Sequence, residues 1–424
     1  MHELYVALAV VGGLLLVLGL FTGLINRAAY ASEPLIAIVA GVLIGPAALR
    51  WLDLSAIGNE KVILEQASLV TLAVALVGVA LRLPVGFITN NWKPLAVLLG
   101  LVMPLMWMAS GLLIYLLLGI PFLVALLIGA IVTPTDPVVS SSIVTGDVAE
   151  ENLPGRLRHL ISAESGYNDG LALPFVLLPL LLLTRSPGDG LSYWFVQVIL
   201  WEVAVGAAVG ILMGYAAGKL LVWAETKRTT AHTSILSISL ALALSVLGIT
   251  ELIGVNGVLA TFVAGTAFNV VGSSDTREQR EHVQDAITRF FDLPVFVLLG
   301  MALPWEGWFE LGWVGLVLAA AVLLLRRPPV TLALSSLIAP AKGRKDALFL
   351  GWFGPLGAAA LYYAAFSVRE TGLEQVWVVG SLLICASVLA HGVSATPLTK
   401  LYGRTSGQTD RKAVADHRFK RDRS

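Results

Sequence analysis

Apolar residues in this chain run in blocks of about bilayer length, separated by short polar stretches. A transmembrane helix needs roughly 20 apolar residues. Thirteen blocks qualify: about 4–25, 34–50, 62–82, 92–118, 121–146, 157–183, 194–223, 231–250, 255–271, 286–304, 310–339, 346–368 and 374–397. The pattern predicts an all-α membrane protein of about 13 transmembrane helices. Two blocks are irregular. The fifth carries Thr133-Pro134-Thr135-Asp136-Pro137, and the twelfth carries Gly351-Trp352-Phe353-Gly354-Pro355-Leu356-Gly357. Proline cannot continue a regular helix, and broken backbone at bilayer depth survives only where protein or a wet cavity surrounds it. Spans 5 and 12 are therefore expected to be discontinuous helices.

Lysine and arginine placement orients the chain. One set of alternate loops holds Arg27, Arg82, Lys93, Arg156, Arg158, Lys219, Lys227, Arg228, Arg277, Arg280, Arg289, Lys342, Arg344 and Lys345. The opposite loops hold only Arg50, Lys61, Arg185 and Arg369. Eight more basic residues follow from Lys400 to Arg423, on the first side. The bias predicts a cytoplasmic C-terminus and, with an odd span count, an outside N-terminus. The tail, about Arg404–Ser424, is polar, mixed in charge and expected to be disordered. It is too short for a nucleotide-binding regulatory domain. Tryptophans 51, 92, 194, 305 and 308 cluster near span ends, as interfacial anchors do.

Composition agrees with the pattern: 57% hydrophobic and 13% charged residues, against about 25% charged in soluble domains. The single cysteine, Cys385, excludes an intrachain disulfide framework and a cysteine metal site, and reads as a small packing residue. The first apolar run lacks a basic leader and is about a full span, against a cleaved signal peptide.

Against this background, intramembrane charges are expensive and usually mark an ion or proton path. Span 6 carries Glu164, Ser165, Asn168 and Asp169. Ser165 and Asp169 are i,i+4 and share a helix face, and Glu164 and Asn168 share the neighbouring one. A hydroxyl and a carboxylate one turn apart suit a hard monovalent cation. Burial disfavours a carboxylate's charged form, so the same group can hold a proton instead. One site that takes either a proton or a cation is the least machinery exchange requires. Inverted-repeat transporters bring two discontinuous helices together at the midplane, and span 12 comes seven places after span 5, which places them equivalently in two opposed halves. There Asp136 is expected to neutralise positive helix N-termini, with Thr133 or Thr135 bonding freed carbonyls. A buried Glu164 needs a partner. Arg326 and Arg327 are the arginines well inside an apolar run, and a structural Glu164–Arg327 pair is expected.

Weaker signals are read structurally. Asn256, Thr261, Thr266 and Asn269 fit helix packing and interhelical hydrogen bonds. Asp292 and Pro294 open span 10, in a capping or interfacial role. Glu202 and His391 read as locally satisfied groups. Glu65 reads as an interfacial charge near the outer end of span 3.

These residues resemble the cation:proton antiporter-1 family, the prokaryotic sodium/proton antiporters related to sodium/hydrogen exchangers. The resemblance runs through Ser32-Glu33-Pro34, Thr135-Asp136-Pro137, Glu164-Ser165 with Asn168-Asp169, Phe262-Val263-Ala264-Gly265, Arg327-Pro328 and Gly351-Trp352-Phe353-Gly354-Pro355. It implies a sodium/proton-antiporter-like fold with inverted repeats and two crossed discontinuous helices, broken at Pro134 and Pro137 and at Gly354 and Pro355. It implies a homodimer in the inner (plasma) membrane. Residues 1–90 (spans 1–3) and 190–305 (spans 7–10) would form a dimerisation domain. Residues 91–185 (spans 4–6) and 308–400 (spans 11–13) would form a moving core, with 401–424 a short cytoplasmic tail. Asp169 would carry the exchanged cation or proton, aided by Ser165 and Thr135, with Glu164 and Arg327 a structural salt bridge. Asn168 before the aspartate goes with electroneutral exchange. The chain departs from the family at Gly78, where many members carry a glutamate, and at Leu356, where many carry an arginine.

The expected activity is electroneutral exchange of Na+, Li+ or K+ for protons by alternating access, without a cofactor, an enzymatic reaction or a nucleic-acid partner. Alternatives are an electrogenic exchanger, a same-fold carrier of another solute such as an organic anion, and a cation channel or sensor. An intramembrane aspartyl protease needs paired carboxylates sharing a proton and a Gly-x-Gly-Asp segment, which the chain lacks.

Overall fold

The computed structural model describes residues 5–6, 9–10, 12–13, 16–17, 20, 32–137, 139–227, 234–272, 277–338 and 343–421. Most of span 1, with Arg27, Arg228, Lys342 and the last three tail residues, lies outside the described residues. No strand occurs among those described.

The helices are α1 (Glu33–Ile44), α2 (Glu60–Arg82), α3 (Trp92–Leu118), α4 (Phe122–Ile131), α5 (Gly155–Thr184), α6 (Pro187–Thr226), α7 (Ser234–Ile253) and α8 (Gly257–Val271). They continue as α9 (Arg277–Met301), α10 (Trp305–Leu325), α11 (Pro328–Ala333), α12 (Arg344–Trp352), α13 (Ala358–Thr371) and α14 (Glu374–Arg421). Short turns at Ser141–Val144 and Asp147–Asn152 join α4 to α5. Among the described residues, six stretches are long and apolar enough to cross a membrane: α2, α3, α5, α6, α10 with α11, and α14 to Thr405.

Local chemistry sets the ends. Asn59 caps α2 by accepting from the Lys61 and Val62 amides. Gly119 and Gly372 end α3 and α13 with positive φ, where glycine carries no Cβ penalty. Proline frees the carbonyl four residues earlier. In α5, Pro174 frees that of Gly170, and the Asn256 side-chain amide donates to it at 2.7 Å. The same side chain caps α8 by accepting from the Leu259 amide. The interhelical role expected of Asn256 is thus tied to a proline on another span.

Burial separates centre from periphery. Helices α2 and α5 are mostly buried, whereas α6 and α10 expose rows of leucine, valine and tryptophan. Helices α1, α2 and α6–α9 pack on one another, as do α3 with α4, α4 with α5, and α10 with α14. Contacts of α13 on α2 and of α5 on α8 join the two sets. Along α6, Gly206, Gly210, Gly214 and Gly218 lie against the Asn256–Val271 face of α8. A Cβ at Gly214 would stand 2.1 Å from the Ala264 carbonyl oxygen.

Four expectations are corrected. Span 11 is not one run: α10 ends at Leu325 and α11 starts at Pro328, so Arg326 and Arg327 sit on a break. Two consecutive prolines, Pro328 and Pro329, cannot donate to the preceding turn. The tail after Arg404 continues α14 through Arg421, with no proline after Pro397 to interrupt it. Asp292 does not open a helix; it lies inside α9 and is 1% exposed. Glu65 is buried, accepting two hydrogen bonds from Arg369 of α13 at 2.7 and 3.0 Å.

Close packing at the α6–α8 seam yields a prediction. Gly214→Ala in the full chain is expected to cost about 1–3 kcal/mol, the usual penalty of overpacking, read as a lower thermal midpoint in detergent. An unchanged midpoint would show that the seam is loose.

Candidate ion-binding site

Both predicted breaks are present. Backbone leaves the α-helix after Ile131 and resumes only at Ser141–Val144, and it leaves again after Trp352 and resumes at Ala358. The two meet, for the Asp136 amide donates to the Pro355 carbonyl at 2.8 Å. Each break exposes a helix C-terminus with unpaired carbonyls and an N-terminus with unpaired amides. Partial charges of about half an electron sit at such ends.

Asp136 answers the amide ends. Its Oδ2 accepts from the Ala358 amide, first residue of α13, at 2.6 Å, and its Oδ1 from Val139 at 2.9 Å. Arg326 answers the carbonyl ends, donating from Nη1 to Val132 after α4 and from Nη2 to Gly354 after α12. The expected role of Asp136 is what the geometry gives. That of Arg326 was missed by sequence reasoning, although its place in an apolar run marked it as costly. Leu356 brings no charge, and its amide is held by Ser387 Oγ at 2.8 Å; the guanidinium at the crossing is that of Arg326.

Two glycines make the approach of these side chains feasible. A Cβ at Gly357 would lie 2.1 Å from Asp136 Oδ2, and one at Gly354 would lie 2.6 Å from Arg327 Cδ. His391 supports the same segment, donating from Nε2 to the Trp352 carbonyl at 2.8 Å while its Nδ1 accepts from Ser387 Oγ at 3.0 Å. It is locally satisfied, as expected.

On α5, Glu164, Ser165 and Asn168 join one network across the two predicted faces, and Asp169 does not. Glu164 accepts from Arg327 Nη1 at 2.8 Å and Nη2 at 2.7 Å, with both side chains buried. Arg327 Nε donates to the Leu350 carbonyl. Asn168 Nδ2 donates to Glu164 Oε1 and to Thr135 Oγ1, and Asn168 Oδ1 accepts from the Thr135 amide at 3.0 Å. Thr135 Oγ1 and Ser165 Oγ lie 3.0 Å apart. Thr133, rather than Thr135, bonds a helix carbonyl, that of Gly129. So Thr135, Ser165, Asn168, Glu164 and Arg327 form one connected network beside the crossing.

Asp169 stands apart from it. The residue is 0% exposed, and neither carboxylate oxygen has a hydrogen-bond partner among the described residues. Only its backbone carbonyl is engaged, accepting from Tyr363 Oη of α13 at 2.6 Å. Its neighbours on α5 pack tightly on α8: a Cβ at Gly170 would lie 2.5 Å from Leu259 Cα. A fully buried carboxylate with no protein partner needs a counter-charge from elsewhere.

Comparisons with known proteins bear on this arrangement. Residues 5–401 match the family described as sodium/hydrogen exchanger, transmembrane. The chain is 33% identical over 92% of its length to Na(+)/H(+) antiporter 2 of Zygosaccharomyces rouxii, spanning 52% of that protein. It is 31% identical to the Na(+)/H(+) antiporter of Schizosaccharomyces pombe, over 92% of this chain and 89% of that one. It is 27% identical, over 67% of its length and 48% of the relative, to the K(+)/H(+) antiporter NhaP2 of Shewanella oneidensis. The chain spans about half the length of several curated relatives it matches. Its fold matches the sodium proton antiporter MjNhaP1 of Methanocaldococcus jannaschii with TM-score 0.72 at 19% identity, over 94% of this chain and 97% of that one.

The buried ion pair carries a prediction. Arg327→Ala leaves Glu164 charged and unpartnered, and loss of one member of such a pair costs about 3–5 kcal/mol. Thermal unfolding in detergent is expected to show this loss, and Glu164→Ala with Arg327→Ala together less than the sum of the single changes. Strict additivity would mean that the two side chains are not coupled.

Proposed function

The chain belongs to the sodium/hydrogen exchanger family, and we propose that it is an electroneutral antiporter exchanging a monovalent cation (Na+, Li+ or K+) for a proton. The protein is a multi-pass membrane protein. The observation that carries the reading is Asp169, an intramembrane carboxylate wholly buried beside a crossing of broken helices and without a partner among the described residues. A proton supplies the missing counter-charge in one half of the cycle, and a cation supplies it in the other. Ser165 and Thr135 offer hydroxyl oxygens to the cation, and Asn168 stands where a second charge would make the exchange electrogenic. One titrating group then swaps one positive charge for another. Asp136 and Arg326 hold the crossing in shape. Glu164 and Arg327 hold α5 to the α10–α11 break.

The exchange runs by alternating access. The core, 91–185 and 308–400, moves against 1–90 and 190–305, carrying Asp169 from one face to the other. The second unit joins two copies as a homodimer. The chain sits in the plasma membrane with its C-terminus cytoplasmic, following the lysine and arginine bias. Relatives named for sodium and for potassium leave the cation to be measured.

The test is exchange in proteoliposomes carrying a pH-sensitive dye, with sodium, lithium or potassium added and with or without an uncoupler. Wild type is expected to move protons on cation addition without a membrane potential, and Asp169→Asn to fall to the protein-free baseline. Sustained exchange by that variant would end the reading. Competition also sets the pH dependence. As pH falls, protons occupy Asp169 and the apparent cation KM rises, approaching about tenfold per pH unit by mass action with one proton. A KM independent of pH would mean that the two do not share a site.

A further inference from the structure

The proposed function uses one buried carboxylate, and the described residues hold a second buried aspartate with an oxygen that lacks a hydrogen-bond partner. Asp292 lies inside α9, 1% exposed, and its Oδ1 has no hydrogen-bond partner among the described residues. Thr288 precedes it by one turn on the same helix face. Its Oγ1 is likewise buried and unpartnered. Two such oxygens a turn apart repeat the Ser165–Asp169 spacing on α5.

Their placement gives them a direction. Helix α9 lies along α1, with Arg289 Nε 3.3 Å from Glu33 Oε2 at the start of α1. Asp292 stands three residues deeper than Arg289, about 4.5 Å at the helical rise. The charged groups that act on it are the carboxylates of Asp136, at the crossing, and of Glu33. Charged groups on the other helices packed against α9 sit toward their ends: Arg82 on α2, Glu251 on α7, and Arg369 on α13, paired with Glu65. Arg289 is occupied by Glu33. The α9 backbone beside Asp292 is pinned by Thr71 Oγ1, which donates to the Phe291 carbonyl at 3.0 Å. Thr288 and Asp292 thus flank, along α9, the Arg289–Glu33 pair at the membrane face where α1 starts.

We propose that Asp292 and Thr288 form a second cation-binding site, for the same class of hard monovalent cation, between the Glu33 face of the membrane and Asp169. It rests on the exchange reading in naming the cation and its destination, Asp169. A cation approaching from that face sheds water onto Asp292 and Thr288 before reaching Asp169; a cation approaching from the other face does not meet them. The site is therefore felt on one side only, which a purely structural acid would not produce.

Two measurements on the full-length protein test this. The first is equilibrium binding of radioactive sodium, and separately of a potassium tracer, to purified protein in detergent. Wild type is expected to hold two ions, Asp169→Asn and Asp292→Asn one each, and the double variant none. Binding unchanged by Asp292→Asn would overturn the proposal, even if exchange by wild type is normal. Binding that depends on Asp292 would support it, even if wild type proved not to exchange cations for protons. The second is exchange in oriented proteoliposomes. Asp292→Asn is expected to raise the cation KM about fivefold or more at the Glu33 face alone, with Asp292→Glu restoring it. An equal rise at both faces, or none, would overturn the proposal. If Asp292→Asn does not fold, Thr288→Val is expected to give a smaller rise at the same face, and its absence counts against the site.

Discussion

Four helix ends meet inside this protein, and everything around them depends on cancelling their charge. A bilayer offers no water to unpaired amides and carbonyls, and each one left bare costs several kcal/mol. Two side chains of opposite sign resolve this. Asp136 accepts from amides on both broken segments, and Arg326 donates to carbonyls on both. Neither has a position of its own to fall back on. Asp136 reaches Ala358 only because residue 357 lacks a side chain, and Arg326, the residue at which α10 ends, reaches both carbonyls.

Around that crossing the polar groups divide into satisfied and unsatisfied sets. Glu164 and Arg327 form a bidentate pair with further hydrogen bonds to Asn168 and the Leu350 carbonyl. Such a completed network fixes side chains in one geometry and costs much if one member is lost. Asp169, one turn from Ser165, takes no part in it. The contrast has a physical use in the proposed exchanger. A site that binds and releases a charge must leave its carboxylate without permanent partners, while the surrounding oxygens stay held by a frame that does not titrate.

Close backbone contact does the remaining positioning. Glycines let α5 lie on α8 beside Asp169 and let α6 lie on α8 behind it. Asn256 sits where these meet, capping α8 and filling the carbonyl that Pro174 frees on α5. Between helices packed so tightly, a shift of α5 alters the surroundings of Asp169 directly. The Glu65–Arg369 pair ties the start of α2 to the end of α13.

Much was fixed by the order of residues alone, because bilayer physics reads composition locally. Long apolar blocks, the two proline and glycine interruptions, and carboxylates at forbidden depth are all visible without coordinates. The spacing of Glu164 and Asn168, and of Ser165 and Asp169, gave their shared faces, since helical period is a local property. The Glu164–Arg327 pairing was legible because a buried charge demands a partner and few arginines lie in apolar runs. Other features depend on distant segments. Asp292 and Glu65 looked interfacial because distance along the chain says nothing of which helix covers a side chain. Arg326 and Arg327 are adjacent and chemically identical, yet one caps carbonyls and the other pairs with Glu164. Only the break at Pro328, and the three-dimensional crossing it faces, could send two neighbouring guanidinium groups to opposite tasks.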